Sequence, residues 1–147
     1  MLPVNCGSHA DYQHFVVTNF RKYYPDPDAL ARSTWDIIER FWNLDLSFTD
    51  TFMADKYSKF GPTPRTPSCM QRSYLLSIDF KVTSLTEWAA QLKMNPLYAI
   101  LSGFEPGNTP GVGTFYDFIN RLWNSDYTQF FLKEALQGSF HPDRSLL

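Results

Sequence analysis

Cysteine and histidine are scarce in this chain and glycine is sparse, with two Cys, three His and seven Gly in 147 residues. Cys6 and Cys69 have neither the number nor the spacing of a disulfide framework and are read as free thiols. Cys6, His9 and His14 cluster near the start, but zinc wants four ligands in closely spaced pairs, and only a distant residue such as His141 could complete the set. No metal and no other cofactor is expected. A Gly-rich phosphate loop is missing too: Gly107, Gly111 and Gly113 do not follow a strand, and no Lys-Ser or Lys-Thr ends the run. No nucleophile elbow occurs, and the histidines lie near the chain ends, so catalysis by this chain alone is not expected. Apolar runs are only a few residues long, against the ~20 that cross a bilayer, and the opening MLPVNCGSHADYQ lacks the regions of a signal peptide. The expectation is a cytoplasmic protein with no membrane partner.

What the chain does have is apolar and aromatic surface. Hydrophobic residues make up 44% and aromatics 17%, including 13 Phe and 8 Tyr. That supplies a core, since a domain of this length can bury ~70% of the surface its unfolded chain exposes. The net charge of −2 and pI of about 5.8 are not the footprint of a protein that binds nucleic acid through bulk charge. The distribution is uneven, however. From Lys56 to Lys93 the basic residues Lys56, Lys59, Arg65, Arg72, Lys81 and Lys93 face only Asp79 and Glu87. A solvated face gives the same pattern, so charge alone does not choose.

Helix punctuation makes the organisation legible and predicts an all-α fold. Phe15, Val16, Phe20 and Tyr23 suggest a first helix ending at Pro25. Asp26-Pro27 offers an N-cap followed by proline at the first helical position, and Leu30, Thr34, Ile37, Ile38 and Phe41 recur with helical period through Trp42. Ser47 to Phe60 reads as a less regular third helix. Three prolines in Gly61-Pro62-Thr63-Pro64-Arg65-Thr66-Pro67 support neither helix nor central strand. The expected layout is an amino-terminal helical subregion (1–60), a Pro-rich linker (61–68), a helix-turn-helix-like region (69–138) and a tail (139–147).

Beyond the linker, Ser84-Leu85-Thr86-Glu87 matches a capping box, and Leu85, Trp88, Ala89 and Leu92 form one apolar stripe. Asn95-Pro96 caps and begins the next helix, and Gly103 is placed to end it in a left-handed conformation. A turn-forming loop, 105–111, leads into a helix over 110–123 whose inner face is Phe115, Phe118, Ile119 and Leu122. Its other face carries Thr114, Tyr116, Asp117, Asn120, Arg121 and Asn124. A further short helix is expected around Phe130 to Leu136, ended by Gly138. Two short helices and a third with Asn, Arg and Tyr facing outward meet what a helix-turn-helix reader of DNA requires, because Asn and Arg can pair bidentately with adenine and guanine edges. Any amphipathic helix shows the same alternation.

The stretch from Arg72 to Trp123 resembles the amino-terminal domain of DDE transposases of bacterial insertion sequences. In that family an Arg with paired leucines precedes an S-L-x-E-x-A-x-x-L helix, an N-P-x-x-x-x-x-L-G-F element and, after a Pro-containing turn, T-F-Y-x-F-x-x-R-L. The matching positions are Arg72, Leu75 and Leu76; Ser84, Leu85, Glu87, Ala89 and Leu92; Asn95, Pro96, Ser102, Gly103 and Phe104; and Pro110, Thr114, Phe115, Tyr116, Phe118, Arg121 and Leu122. Ser102 stands where the family often has Leu. The resemblance covers about a third of the chain and keeps order and spacing.

The resemblance implies DNA binding without the family's chemistry, which needs three carboxylates and two metal ions on a ribonuclease-H-like fold. That catalytic domain is missing from this sequence. Tyr74-Leu75-Leu76-Ser77-Ile78-Asp79-Phe80 imitates a catalytic strand ending in Asp, but the resemblance puts it on a helix, and no catalytic role is expected of Asp79. The implied partner is double-stranded DNA at the terminal inverted repeat of a mobile element. Tyr116, Asn120 and Arg121 would face bases, and Arg72, Lys81 and Lys93 would be candidates for phosphate contact. A second reading comes from the aromatics Phe15, Phe20, Trp35, Phe41 and Trp42. They could form a surface for self-association or for docking the catalytic domain, through which the chain would join and inhibit full-length transposase, or simply contribute to the core.

Overall fold

The computed structural model describes residues 8–54 and 65–123. Among these the chain is all α-helical: α1 (His9–Tyr23), α2 (Arg32–Asn43), α3 (Phe48–Met53), α4 (Pro67–Asp79), α5 (Leu85–Met94), α6 (Pro96–Ser102) and α7 (Val112–Trp123). None of the described helices is long and apolar enough to cross a membrane. The helix expected around 130–136 and the second half of the one expected over 47–60 lie outside the described residues.

Local chemistry accounts for several of the helix ends. Ser8 opens α1 with a reciprocal capping box: its Oγ accepts from the Asp11 N–H at 3.2 Å while the Asp11 carboxylate accepts from the Ser8 N–H at 3.0 Å. Tyr12, Val16 and Asn19 then recur on the buried face of α1. The expectation of one helix from Pro27 to Trp42 needs correction. Asp26 does cap, accepting from the Asp28 N–H at 3.0 Å, but only a 3-10 turn over Pro27–Ala29 follows, and Leu30 is extended before α2 begins at Arg32. A tertiary bond holds the break. The Trp35 indole N–H donates to the Pro27 carbonyl at 3.0 Å, which a continuous helix would direct at its own backbone.

The two ends of α4 are closed in different ways. At its start Thr66 makes no side-chain cap, and Asp50 of α3 reaches across to accept from both the Ser68 N–H at 2.8 Å and Ser68 Oγ–H at 2.9 Å. An orphan donor of the first turn is thereby satisfied from another helix. Pro67 and Ser68, assigned by sequence to the linker, are thus the buried first turn of α4, while 61–64 lie outside the described residues. At its end the Val82 N–H bonds the Ser77 carbonyl at 2.9 Å and the Lys81 N–H bonds that of Ile78 at 3.0 Å, with Lys81 at φ 60°. This is a Schellman closure with lysine in the left-handed place usually given to glycine. The run Tyr74–Phe80 is helical up to Asp79, as expected.

The last three helices follow the sequence closely. Ser84 forms one half of the expected box, accepting from the Glu87 N–H at 3.3 Å. Asn95 caps α6 through the Leu97 N–H at 3.1 Å, and Gly103 ends it at φ 100°. Glycine is required there twice over, because a Cβ would also stand 2.7 Å from Cys69 Sγ. The short α6 is the most enclosed element, lying against α1, α4 and α5. The two sequence subregions share one core: Ile38, Phe41 and Met53 join Met70, Leu76, Trp88, Leu92, Leu101, Phe115 and Phe118 in a single cluster. Trp88, fully enclosed, donates its indole N–H to Ser73 Oγ of α4 at 2.9 Å, so its one polar atom is satisfied without water.

Candidate nucleic-acid interface

The face of α7 is settled by burial. Phe115 and Phe118 are in the core and Ile119 and Leu122 are half-buried, leaving Thr114, Tyr116, Asp117, Asn120 and Arg121 exposed. Tyr116 and Asn120 are one turn apart on the same side, and Arg121 lies about 100° further round at 3.6 residues per turn. Asn124 falls outside the described residues.

Beside this face runs an open groove of about 640 Å³, lined by Tyr74, Ser77 and Ile78 of α4, the 81–85 segment, and Tyr116 and Ile119 of α7. Lys81 is its only charged lining residue among those described. The groove therefore brings together two residues the sequence singled out separately, Lys81 and Tyr116. Its rim is partly apolar: Ile78 is 58% and Tyr116 54% exposed. Tyr74 and Ile78, one turn apart on α4, escaped the sequence reading because they sit in an apolar run that looks uniformly internal. Period gave their shared side, but only the neighbouring helices could show which side is out.

The remaining basic residues part company. Lys93 is exposed in the last turn of α5, where a cation also suits the helix dipole. It does not line the groove. Arg72 requires correction as a surface phosphate contact. It is 2% exposed, its guanidinium lies over the Tyr12 ring at 3.7 Å from the centroid, and one Nη donates to the Ser102 carbonyl at 3.3 Å. A phosphate of a duplex cannot reach it there. Burial pushes the Tyr12 phenol well above its usual range, with the Arg72 cation opposing, and the neutral hydroxyl donates to the Leu101 carbonyl at 2.7 Å. Arg65 is committed too, its guanidinium bonding the Asn108 carbonyl at 2.7 Å and Asn108 Oδ1 at 3.0 Å.

The residues weighed for chemistry have ordinary places. Asp79 ends α4 and pairs with Arg40 at 2.6 Å. The His9 ring bonds the Trp42 carbonyl through Nε2 at 2.7 Å, beside the Gln13 amide at 2.9 Å. His14 is exposed on α1, while Cys6 and His141 lie outside the described residues. Among the described residues no three of His, Cys, Asp and Glu are grouped to hold a metal ion. Of the aromatics of the first third, Phe41 is core, Phe15, Phe20 and Trp42 are half-buried, and Trp35 is 39% exposed. Phe20, Trp35 and Trp42 line a second groove of about 590 Å³ between α1 and α2, with Phe20 stacked on Trp35.

No family model matches the chain, and comparison with curated proteins and with solved structures gives no match.

Proposed function

We propose that this chain is a DNA-binding domain of the kind found at the amino terminus of insertion-sequence DDE transposases, reading the terminal inverted repeat of a mobile element. The observation that carries the reading is Lys81. An L-residue in the left-handed region costs about 1 kcal/mol or more relative to glycine, so a lysine kept there is a place to look for function. It borders the same groove as Tyr116, next to the α7 face bearing Asn120 and Arg121. In this reading α7 enters the major groove, Tyr116, Asn120 and Arg121 meet base edges, and Lys81 and Lys93 meet phosphates. Arg72 is withdrawn from that role.

The test is a titration of the chain against duplex carrying the inverted repeat and against scrambled duplex, at two salt concentrations. Asn120→Ala is expected to cost about 1–3 kcal/mol on the repeat and little on scrambled DNA. Lys81→Gln is expected to weaken both and to lower the salt slope by about one. Equal, salt-insensitive binding to both duplexes would discard the proposal.

One observation favours a second reading, an interaction module. The α1–α2 groove exposes the Trp35 ring within an apolar lining that includes Val16, Phe20 and Ile38. Another copy of the chain or full-length transposase would cover it. Sedimentation that stays monomeric at high concentration would remove the self-association form of this reading.

A further inference from the structure

The groove beside α7 gathers aromatic side chains that the fold itself does not use. Tyr74, Ile78 and Tyr116 are all exposed and all line it. Neither tyrosine makes a side-chain hydrogen bond or a ring contact among the described residues. Trp35 and Tyr23, exposed to about the same degree as Tyr74, are engaged: Trp35 stacks on Phe20 and bonds the Pro27 carbonyl, and Lys22 Nζ lies 5.4 Å from the Tyr23 ring centroid. Two unengaged phenol rings and an isoleucine leave apolar surface in water that a flat ligand can cover.

The polar edge of the groove suits an anion. Lys81 is the only charge among the described lining residues, and no carboxylate among the described residues forms an ion pair with it. Asp79 is paired with Arg40, and neither Glu87 nor Asp117 lines the groove. Ser84 Oγ accepts from the Glu87 N–H and keeps its own proton, and the exposed Thr83 hydroxyl has no partner among the described residues. Ser77 has already given its proton to the Tyr74 carbonyl at 2.6 Å. The hydroxyl donors that remain thus share the 81–85 segment with the lysine, a set that fits phosphate oxygens.

Shape decides which part of a nucleic acid fits. Stacked base pairs are read by elements that project into a groove of the duplex. A concavity of about 640 Å³, within the ~300–1,000 Å³ of small-molecule pockets, instead receives something that projects from the nucleic acid. A base freed from its stack does so, and it brings its phosphates with it.

We infer that the groove between α4 and α7 binds an unpaired nucleotide of single-stranded DNA adjoining the duplex, its base stacked on Tyr74 and Tyr116 and its phosphate held by Lys81, Thr83 and Ser84. Resting on the DNA reading, this assignment alters one detail of it: Tyr116 offers its ring face to an unpaired base, and base edges are left to Asn120 and Arg121.

The experiment compares binding of the full chain to blunt duplex repeat with binding to the same duplex carrying a short unpaired adenosine tail at one end or the other, at matched salt. The tail is expected to tighten binding about tenfold, the worth of one stacked base. Tyr74→Leu, which keeps an apolar side chain but no ring, should remove that gain, and Tyr74→Phe should keep it. In the unaltered chain the Tyr74 and Tyr116 ring protons should move upfield when the tailed duplex binds, so the result does not depend on either variant folding. A gain that survives Tyr74→Leu comes from the added phosphates alone and overturns the inference. Ring protons that the tail does not move overturn it too, leaving the groove to another occupant such as a peptide, while sequence-specific binding of the blunt duplex keeps the DNA reading intact. Binding to neither duplex would overturn both.

Discussion

The two ends of α4 treat charge in opposite ways. At the amino-terminal end Asp50, Ser68 and Arg72 are drawn inside and answered, wholly or in part, by protein groups. At the carboxy-terminal end Lys81 is exposed on a left-handed turn, and the salt bridge beside it, between Arg40 and Asp79, is open to solvent. Both ends lie in the same basic stretch of sequence, yet only the exposed one can meet a large polyanion. Basic residues counted along a chain therefore do not measure a nucleic-acid footprint; those left after packing do.

The largest blow to the inner end should come from Gly103→Ala. The added Cβ meets Cys69 Sγ at 2.7 Å and Arg72 Nη1 at 3.4 Å while the backbone is held at φ 100°. Left-handed strain and overpacking together should cost about 3 kcal/mol, read as a lower urea midpoint at unchanged slope. Asp50→Ala should cost about 2 kcal/mol by stranding the Ser68 donors. Asp50→Asn separates hydrogen bonding from charge. Burial raises the Asp50 pKa above its ordinary value, with the Ser68 bonds opposing, so the folded state holds this proton more tightly than the unfolded state. Its contribution is therefore most favourable at low pH and is lost as pH rises through the folded value. The stability of Asp50→Asn relative to the natural chain should accordingly be highest near neutrality and fall on acidification; a difference that does not vary with pH would refute the assignment.

At the outer end the effects reverse or shrink. Lys81→Gly should stabilise the fold by about 1 kcal/mol while weakening DNA binding, a trade that a purely structural lysine would not show. Arg40→Ala should change stability by less than about 0.5 kcal/mol, since its partner is a surface carboxylate and Arg40 itself is well solvated.

Much of the fold was legible because its signals are local. Asn95-Pro96, Ser84 and Gly103 act within one turn of the chain, and the structure places a helix start or stop at each. The α7 face was legible for the same reason, its period being visible in twelve residues. What could not be read were bonds between distant residues. The 3-10 break before α2 depends on Trp35 reaching back to Pro27, the start of α4 on Asp50, and the burial of Arg72 on Tyr12, sixty positions earlier. Arg72 looked like a phosphate ligand because an arginine's environment is not encoded in its neighbours. The family resemblance supplied its position, not its surroundings. Lys81 was chosen for its charge alone, whereas its left-handed backbone is a property of the closing turn.

Trp88 has one more consequence. Its indole is wedged between α4 and α5 with its N–H fixed on Ser73, and α7 packs on both of those helices. The turn that carries Lys81 and the helix whose outer face carries Tyr116 are therefore tied to one closed core rather than to a loop alone. If the proposed DNA reading holds, a duplex that engages both would meet two contacts whose spacing is fixed by that core and not by the flexibility of a connecting loop.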